Sequence, residues 1–213
     1  MKLFNFDRVL CLSPHPDDVE YSMSGLIHKY KDTHFDILCM SIGGEHDTTS
    51  HPNRFDEVES FWKMMKCDNI TLHFEYGFIS RYKEPEWINM IGTKYLQGDP
   101  TSSVNCIILC SSHDVHFEHR IVNSIGIPLA RKSKLSVIEY KSPSTNPEWI
   151  PNLFMELSPD ILRKKVKSLQ QFKTQLDAPY FSQENIPNFH IDFSATKRGA
   201  KYVELFRMVQ LFS

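Results

Sequence analysis

The sequence lacks the features that would assign it to a membrane or nucleic-acid-binding class. No apolar run approaches the roughly 18 residues that a membrane-spanning helix needs. The formal net charge is only −2, so the charge balance does not favour a nucleic-acid partner. Residues 1–8 lack the apolar stretch of a signal peptide, and cleavage near residue 20 would destroy the first polar motif. These absences predict a cytoplasmic protein without a membrane span.

Low-complexity tracts, internal repeats and long linkers are also missing. A chain of 213 residues, of which 41% are hydrophobic, has the size of one ordinary domain and can bury a proper core. We therefore expect a single domain over residues 1–213. The five cysteines are an odd number, and most lie inside apolar runs, which favours buried structural thiols without a catalytic role.

Apolar periodicity predicts alternating strands and helices through the first two-thirds of the chain. The expected strands cover residues 8–13, 35–42, 70–74, 104–110 and 135–140. The expected helices between them cover residues 18–30, 53–65, 84–96 and 118–131. This order predicts an α/β fold with a doubly wound, mostly parallel sheet. In such sheets, sites form outside the carboxyl ends of the strands.

The pattern changes after residue 140. Residues 141–151 contain three prolines and predict a surface loop, followed by a short strand over 152–157. Ser158-Pro159 is typical of a helix start, with Ser as N-cap and Pro at the first helical position, and predicts a helix over 160–175. Residues 177–193 have no clear pattern, and a final helix is expected over 195–211.

The first motif, Pro14-His15-Pro16-Asp17-Asp18-Val19-Glu20, directly follows the first expected strand. Its imidazole and two adjacent carboxylates can hold a divalent metal and still leave one carboxylate free as a base. A simple turn and helix cap is the alternative, because Asp and Pro favour both.

The second motif, Asp114-Val115-His116-Phe117-Glu118-His119, follows the expected strand over 104–110. Taken alone, its histidines could be surface residues at a helix start. Two such motifs at the carboxyl ends of strands in one sheet would instead meet in one site. His15, Asp18 and His119 would then supply the three protein ligands of a catalytic zinc. The two motifs together predict a hydrolytic zinc enzyme.

The remaining polar residues of the motifs suggest catalytic and supporting roles. Asp17 is the expected general base, which takes a proton from the metal-bound water. His116 could face the developing oxyanion or protonate the leaving amine. Glu118 or Asp114 could hydrogen-bond that imidazole and hold it in one tautomer.

At these residues the chain resembles the PIG-L / LmbE-like family of zinc-dependent de-N-acetylases. That family carries an (A/P)-H-P-D-D-x-E motif after its first strand and a D-x-H-x-D-H motif after a later one. The resemblance runs the whole length: Arg54 and Glu57 resemble the R-x-x-E helix start, and residues 198–204 resemble the C-terminal helix. It implies a Rossmann-like three-layer sandwich, the same zinc ligands and base, and Arg54 as a substrate contact.

The resemblance also implies an N-acylated amino sugar or sugar conjugate as substrate, and it suggests a homo-oligomer. One departure concerns the second motif, because the family usually has Asp where this chain has Glu118. Glu keeps the charge but adds a methylene group, so its reach toward a histidine changes. Phe117 stands where the family usually has Pro.

The leading hypothesis is removal of the N-acetyl group from a GlcNAc-like amino sugar or conjugate by attack of a metal-bound water. An N-deformylase or amidase acting on a nucleotide-linked sugar or other small N-acyl metabolite is the alternative. A non-catalytic binding protein of the same fold would predict a damaged motif. Specificity is expected in the loops 43–53, 76–84 and 141–151, where Tyr76, Trp87 and Trp149 could line the pocket or belong to the core.

Overall fold

The computed structural model describes residues 1–42, 54–75, 77, 79–97 and 104–212. These residues contain a seven-stranded sheet with the order β3-β2-β1-β4-β5-β7-β6. Its strands are β1 (Arg8–Ser13), β2 (His34–Cys39), β3 (Ile70–Phe74), β4 (Cys106–Cys110), β5 (Ser136–Tyr140), β6 (Leu153–Glu156) and β7 (Val203–Gln210). The helices are α1 (Asp18–Lys29), α2 (Arg54–Met65), α3 (Glu84–Ile91), α4 (Phe117–Ser133), α5 (Pro159–Leu169), α6 (Asn185–Phe189) and α7 (Phe193–Thr196).

Strands β1 to β5 are parallel, and β7 lies antiparallel between β5 and β6. One group of contacting helices contains α1, α2 and α5, and another contains α3 and α4. The expected α/β Rossmann-like fold with a mostly parallel sheet is confirmed. Strands β1 and β4 are buried almost throughout, as expected for parallel strands that are covered on both faces.

The two polar motifs lie at the point where the strand order reverses. From β1 the chain proceeds through β2 to β3 on one side of the sheet, and it returns through β4 to β5 on the other. Strands β1 and β4 are direct neighbours, with Val9 opposite Cys106 and Cys11 opposite Ile108. Each motif directly follows one of these strands, so the sheet brings them together at the switch point where α/β folds place their ligands.

The expected helix over 195–211 is wrong. Only Phe193–Thr196 is helical in this region, and Val203–Gln210 is a strand. Gly199, at φ 90°, occupies a left-handed backbone conformation that breaks a helix and suits glycine. Within β7, the polar residues Glu204, Arg207 and Gln210 recur every third position, a spacing closer to the helical period than to the alternation of a strand.

Other differences are smaller. The helix expected over 160–175 ends at Leu169 and is followed by a separate 3₁₀ turn at Lys173–Gln175. The helix expected over 84–96 changes to π-helical geometry at Gly92–Leu96. Short helical segments occur within the region expected to be irregular, at Pro179–Phe181 and Asn185–Phe189.

All five cysteines are buried and free, in agreement with the sequence expectation. In the part of the chain that the structure describes, no helix has both the length and the apolar character to cross a membrane. The expected specificity loop at 43–53 and Tyr76 lie outside the described residues. The single-domain and homo-oligomer expectations stay predictions.

Candidate metal centre

The first motif forms a tight turn between β1 and α1. The Ser13 hydroxyl donates a 2.7 Å hydrogen bond to the carbonyl of His15, and the His15 amide donates a 2.9 Å bond to Oδ2 of Asp18. Asp17, at the N-cap of α1, has φ 114°, a conformation that L-residues rarely adopt. Such backbone strain persists only where the surroundings hold it, and it often occurs at functional sites.

Two buried side chains, those of Glu20 and Arg54, hold the strained residue Asp17. The Asp17 amide donates to Oε2 of Glu20 at 3.1 Å, and Nε1 of Trp62 donates to Oε1 of the same glutamate at 2.7 Å. From α2, the Arg54 guanidinium donates to the carbonyl of Pro16 at 2.8 Å and to Oδ2 of Asp17 at 3.3 Å. Arg54 is only 7% exposed, so its guanidinium is a buried part of this turn and is not solvated.

The second motif, at the start of α4, brings His119 against the first. Its Nε2 atom lies 3.3 Å from Oδ1 of Asp18, and Nδ1 of His15 lies 3.3 Å from Oδ2 of Asp18. All three side chains are buried, and their ligand atoms lie within 4.8 Å of one another. Two ligand atoms on a tetrahedral zinc at normal bond lengths are about 3.3 Å apart. The three residues therefore fit a zinc ion in both chemistry and spacing.

A second set, His15, His116 and Glu118, also has ligand atoms within 4.8 Å of one another. Its shortest contact, however, is 2.6 Å between Oε2 of Glu118 and Nε2 of His15. That distance is typical of a charge-assisted hydrogen bond and is shorter than the spacing of two atoms on one metal. Glu118 is therefore placed to accept a hydrogen bond from His15, whose Nδ1 atom faces Asp18.

Asp114 makes the equivalent contact with the other histidine ligand candidate. Its Oδ2 atom lies 3.0 Å from Nδ1 of His119 and accepts a hydrogen bond from the Ser142 hydroxyl. The sequence predicts that Asp114 or Glu118 orients the imidazole of His116. The structure instead places Asp114 against His119 and Glu118 against His15, with Glu118 at 4.0 Å from Nδ1 of His116. A carboxylate on the second nitrogen is the usual arrangement for a metal-bound histidine.

These carboxylates control the protonation of the two histidines. Although burial opposes it, hydrogen bonds to Asp18 and Glu118 raise the pKa of His15 to about 9. Burial likewise opposes the charged form of His119, but the charge of Asp18 and the contact with Asp114 raise its pKa to about 10. A divalent cation would replace these protons, since histidine binds metal only when the ligating nitrogen is unprotonated.

The pKa values of the two adjacent aspartates, Asp17 and Asp18, are shifted in opposite directions. Burial and the charge of Asp18 raise the pKa of Asp17 to about 8, with Arg54 opposing. The pKa of Asp18 lies well below its usual range, because the charge and hydrogen bond of His119 outweigh burial. Neighbouring carboxyl groups with separated pKa values are typical of sites that divide their chemical roles. Burial and the nearby His119 lower the pKa of His116, which is half-exposed.

A cavity of about 470 Å³ opens onto this cluster. All of the metal-ligand candidates, together with Asp17, His116 and Glu118, line it. Outside the two motifs, the lining includes Pro143, Ser144, Gln175, Tyr180 and Phe181. The expected loop over 141–151 thus contributes to the cavity, whereas the last three residues were not anticipated.

The aromatic residues named from the sequence have other positions. Trp87 and Trp149 are 7% and 5% exposed, and neither lines this cavity. Nε1 of Trp149 donates a 3.0 Å hydrogen bond to Glu139, which is a structural contact. Tyr180 and Phe181 had no local sequence signal, because their approach to the cavity depends on how the chain after α5 folds back.

Residues 10–130 match the family model described as "PIG-L: GlcNAc-PI de-N-acetylase". The matched stretch contains most of β1 and both motifs in full. No curated protein matches the sequence.

Solved structures show the same fold. N,N'-diacetylchitobiose deacetylase from Pyrococcus horikoshii is 18% identical, with a TM-score of 0.72 and coverage of 97% of this chain and 85% of that protein. A zinc-inhibited form of teicoplanin deacetylase Orf2 is 11% identical, with a TM-score of 0.71 and coverage of 93% and 96%. The 4-carboxy-2-hydroxymuconate hydratase GalB from Pseudomonas putida KT2440 is 14% identical, with a TM-score of 0.73 and coverage of 100% and 98%. Because deacetylases and a hydratase share this fold, the fold alone does not assign an activity.

Proposed function

Since the chain belongs to the PIG-L (GlcNAc-PI de-N-acetylase) family, we propose that it is a zinc-dependent hydrolase that removes the N-acetyl group from a GlcNAc-like amino sugar or sugar conjugate. The observation that carries this proposal is the buried cluster of His15, Asp18 and His119 beside the strained Asp17. The deacetylase activity named for two of the structural neighbours supports the same reaction class.

His15, Asp18 and His119 would hold the zinc ion. Bound there, zinc would polarise the amide carbonyl and lower the pKa of a water molecule. Glu118 and Asp114 keep the two imidazoles oriented by accepting hydrogen bonds on the nitrogens that face away from Asp18. These two carboxylates therefore support the site without binding the metal.

Asp17 acts as the general base that accepts a proton from the attacking water. Its elevated pKa suits a group that must both take and release a proton near neutral pH. A bound cation would favour its ionised form, which is the form that can accept a proton. The contact with Arg54 keeps the carboxylate in place despite the unusual backbone conformation.

His116 acts on the substrate from the start of α4. Its half-exposed imidazole lines the cavity and is not held by Asp114 or Glu118 at hydrogen-bond distance. It donates a hydrogen bond to the amide oxygen as negative charge develops there, or a proton to the leaving amine.

Arg54 is the proposed substrate contact outside the motifs. Two of its nitrogens bind backbone carbonyls and Asp17, but its buried Nε atom has no hydrogen-bond partner among the described residues. Because Arg54 lines the cavity, a polar group of the substrate could reach it there. A cytoplasmic location belongs to the same proposal.

One assay tests both whether the protein hydrolyses an amide and which acyl group it removes. Purified protein would be stripped of metal, reloaded with zinc and assayed for amine release from N-acetyl sugars, their conjugates, and N-formyl and nucleotide-linked counterparts. We expect zinc-dependent release of acetate from at least one N-acetyl sugar. Release only from N-formyl or nucleotide-linked compounds would favour the alternative activity, and zinc binding without any amide hydrolysis would contradict both.

A further inference from the structure

A short segment after α5, residues 172–181, supplies a part of the cavity wall that neither motif contributes. It lies outside residues 10–130, the stretch that matches the family model. Two anchors fix its backbone. The amide and hydroxyl of Thr174 donate to the Glu57 carboxylate at 3.1 and 2.7 Å, and the hydroxyl of Tyr21 donates to the carbonyl of Tyr180 at 2.8 Å.

The core also holds this segment. Phe181 is 1% exposed and packs against Tyr21 and Phe172, with ring centroids 5.4 and 5.9 Å apart. A wall held by backbone hydrogen bonds and a buried aromatic anchor loses little further conformational entropy when a ligand binds. The segment is therefore a preorganised surface.

Two side chains of the segment remain available on the cavity side. Tyr180 lines the cavity, is 40% exposed, and its hydroxyl makes no hydrogen bond to another described residue. Gln175 also lines the cavity, and within the described part of the chain its side-chain amide makes only a long 3.5 Å hydrogen bond, to the hydroxyl of Thr174. An aromatic ring beside an amide offers an apolar face and hydrogen-bonding groups together.

We propose that Tyr180 and Gln175 form the sugar-binding wall of the cavity, with the amino-sugar ring packed on Tyr180 and its hydroxyl groups hydrogen-bonded by Gln175. This inference rests on the proposed function and specifies how that function selects its substrate. A pyranose ring has C–H groups on its faces and hydroxyls around its edge. It therefore matches an aromatic surface flanked by an amide.

The position of Tyr180 relative to the metal centre suits this role. Burial and the charges of Asp17 and Asp18 raise the pKa of Tyr180 to about 12, while Arg54 opposes them. The phenol is thus within electrostatic reach of the catalytic carboxylates. A sugar that packs on Tyr180 can present an attached N-acetyl group to the metal centre within the same cavity.

The test compares Tyr180→Ala, Tyr180→Phe and Gln175→Ala with the wild type on an N-acetyl sugar and on a ring-free N-acetyl amine. Tyr82→Ala is the matched control. Tyr82 belongs to the expected specificity loop 76–84, but it is 95% exposed and does not line the cavity. We expect Tyr180→Ala to raise KM for the sugar about 10- to 100-fold, with kcat changed less than about threefold. Gln175→Ala should raise KM about fivefold, and Tyr180→Phe should stay close to wild type.

A second measurement does not depend on turnover. Saturation-transfer NMR with N-acetylglucosamine and the metal-free protein should show contact in the wild type and in Tyr82→Ala, and a lost signal in Tyr180→Ala. Zinc affinity and melting temperature should be unchanged in Tyr180→Phe, which keeps the packing against Tyr21 and Phe181.

Unchanged KM and unchanged NMR contact in Tyr180→Ala would overturn the sugar-binding wall while leaving the proposed function intact. An equal loss of activity on the ring-free amine would also overturn it, because Tyr180 would then act on the amide chemistry. A wild-type protein that hydrolyses no N-acetyl sugar would contradict the proposed function, and the NMR measurement would still decide whether the wall binds saccharide.

Discussion

Oε2 of Glu118 lies 2.6 Å from Nε2 of His15, and both side chains are buried. This contact leaves Nδ1 of His15 facing Asp18, which is the nitrogen that a metal in the candidate site requires. Glu118 carries one methylene more than the aspartate of the family motif, and its carboxylate contacts His15 here. With glutamate at this position, a carboxylate still contacts a histidine of the candidate metal centre.

The first prediction follows from this contact. Glu118→Ala should weaken zinc binding about 10- to 100-fold, because His15 loses the partner that fixes its tautomer and ring orientation. Zinc affinity would be measured by competition with a chromogenic chelator. Glu148→Ala is the control, since Glu148 is an exposed glutamate of the loop that follows β5. Equal zinc affinity in Glu118→Ala and the wild type would show that the contact does not orient the ligand.

The cluster of Asp17, Asp18 and His119 could be predicted because each local pattern agreed with the fold. Apolar runs indicate β1 and β4, and the alternation of strands and helices indicates a parallel sheet. In a parallel sheet the loops that follow β1 and β4 lie at the same edge, so the two motifs are expected to meet. No contact geometry was needed to expect that the two motifs would meet. The sequence could not indicate which carboxylate faces which imidazole, since that depends on side-chain lengths and rotamers.

Tyr180 and β7 could not be predicted for different physical reasons. Tyr180 reaches the cavity only because Thr174 binds α2 and Phe181 enters the core, and both contacts are distant in sequence. In strand β7 the polar residues Glu204, Arg207 and Gln210 lie three positions apart, so the sequence lacks the alternation that distinguishes a strand from a helix. Contacts distant in sequence thus created one part of the site, and the local polar spacing favoured the wrong type of element for β7.

The second prediction concerns the proposed base. Asp17→Asn should reduce turnover about 10²- to 10⁴-fold, because the amide cannot accept the proton of the attacking water. Asn tolerates positive φ as well as Asp does, so the turn should keep its conformation. Zinc affinity should change less than about threefold, and Asp56→Asn, an exposed change on the same helix as Arg54, should have no effect. A variant that binds zinc and turns over normally would exclude Asp17 as the base.

The third prediction concerns a buried ion pair beneath α1. Nζ of Lys165 lies 2.6 Å from Oε1 of Glu204, and both side chains are fully buried. The same carboxylate accepts hydrogen bonds from the amides of Gly25 and Leu26 at 2.8 and 2.7 Å, so it joins β7 to α1, the helix that begins at the candidate metal centre.

Lys165→Met should lower the free energy of unfolding by about 3–5 kcal/mol, because Glu204 is left as a buried charge without its cation. Denaturant unfolding would measure the change. Lys167→Met, an exposed substitution on the same helix, should stay within about 0.5 kcal/mol of the wild type. A loss of less than about 1 kcal/mol in Lys165→Met would contradict the assignment of this pair as a structural connection.

The fourth prediction concerns stability in acid. Asp36 on β2 is 2% exposed and binds the guanidinium of Arg8 and, at 2.8 Å, Nε2 of His73. Although burial opposes it, these two partners lower the pKa of Asp36 to about 2. Because the folded-state pKa lies below the unfolded one, the carboxylate contributes about 2 kcal/mol above pH 4, and this contribution is lost as the pH falls from about 4 to 2. The free energy of unfolding should therefore fall less steeply between pH 4 and 2 in Asp36→Asn than in the wild type, and it should be lower at neutral pH.

The exposed Asp68→Asn variant is the control and should follow the wild-type curve. Parallel curves for Asp36→Asn and the wild type below pH 4 would rule out Asp36 as a source of the acid sensitivity.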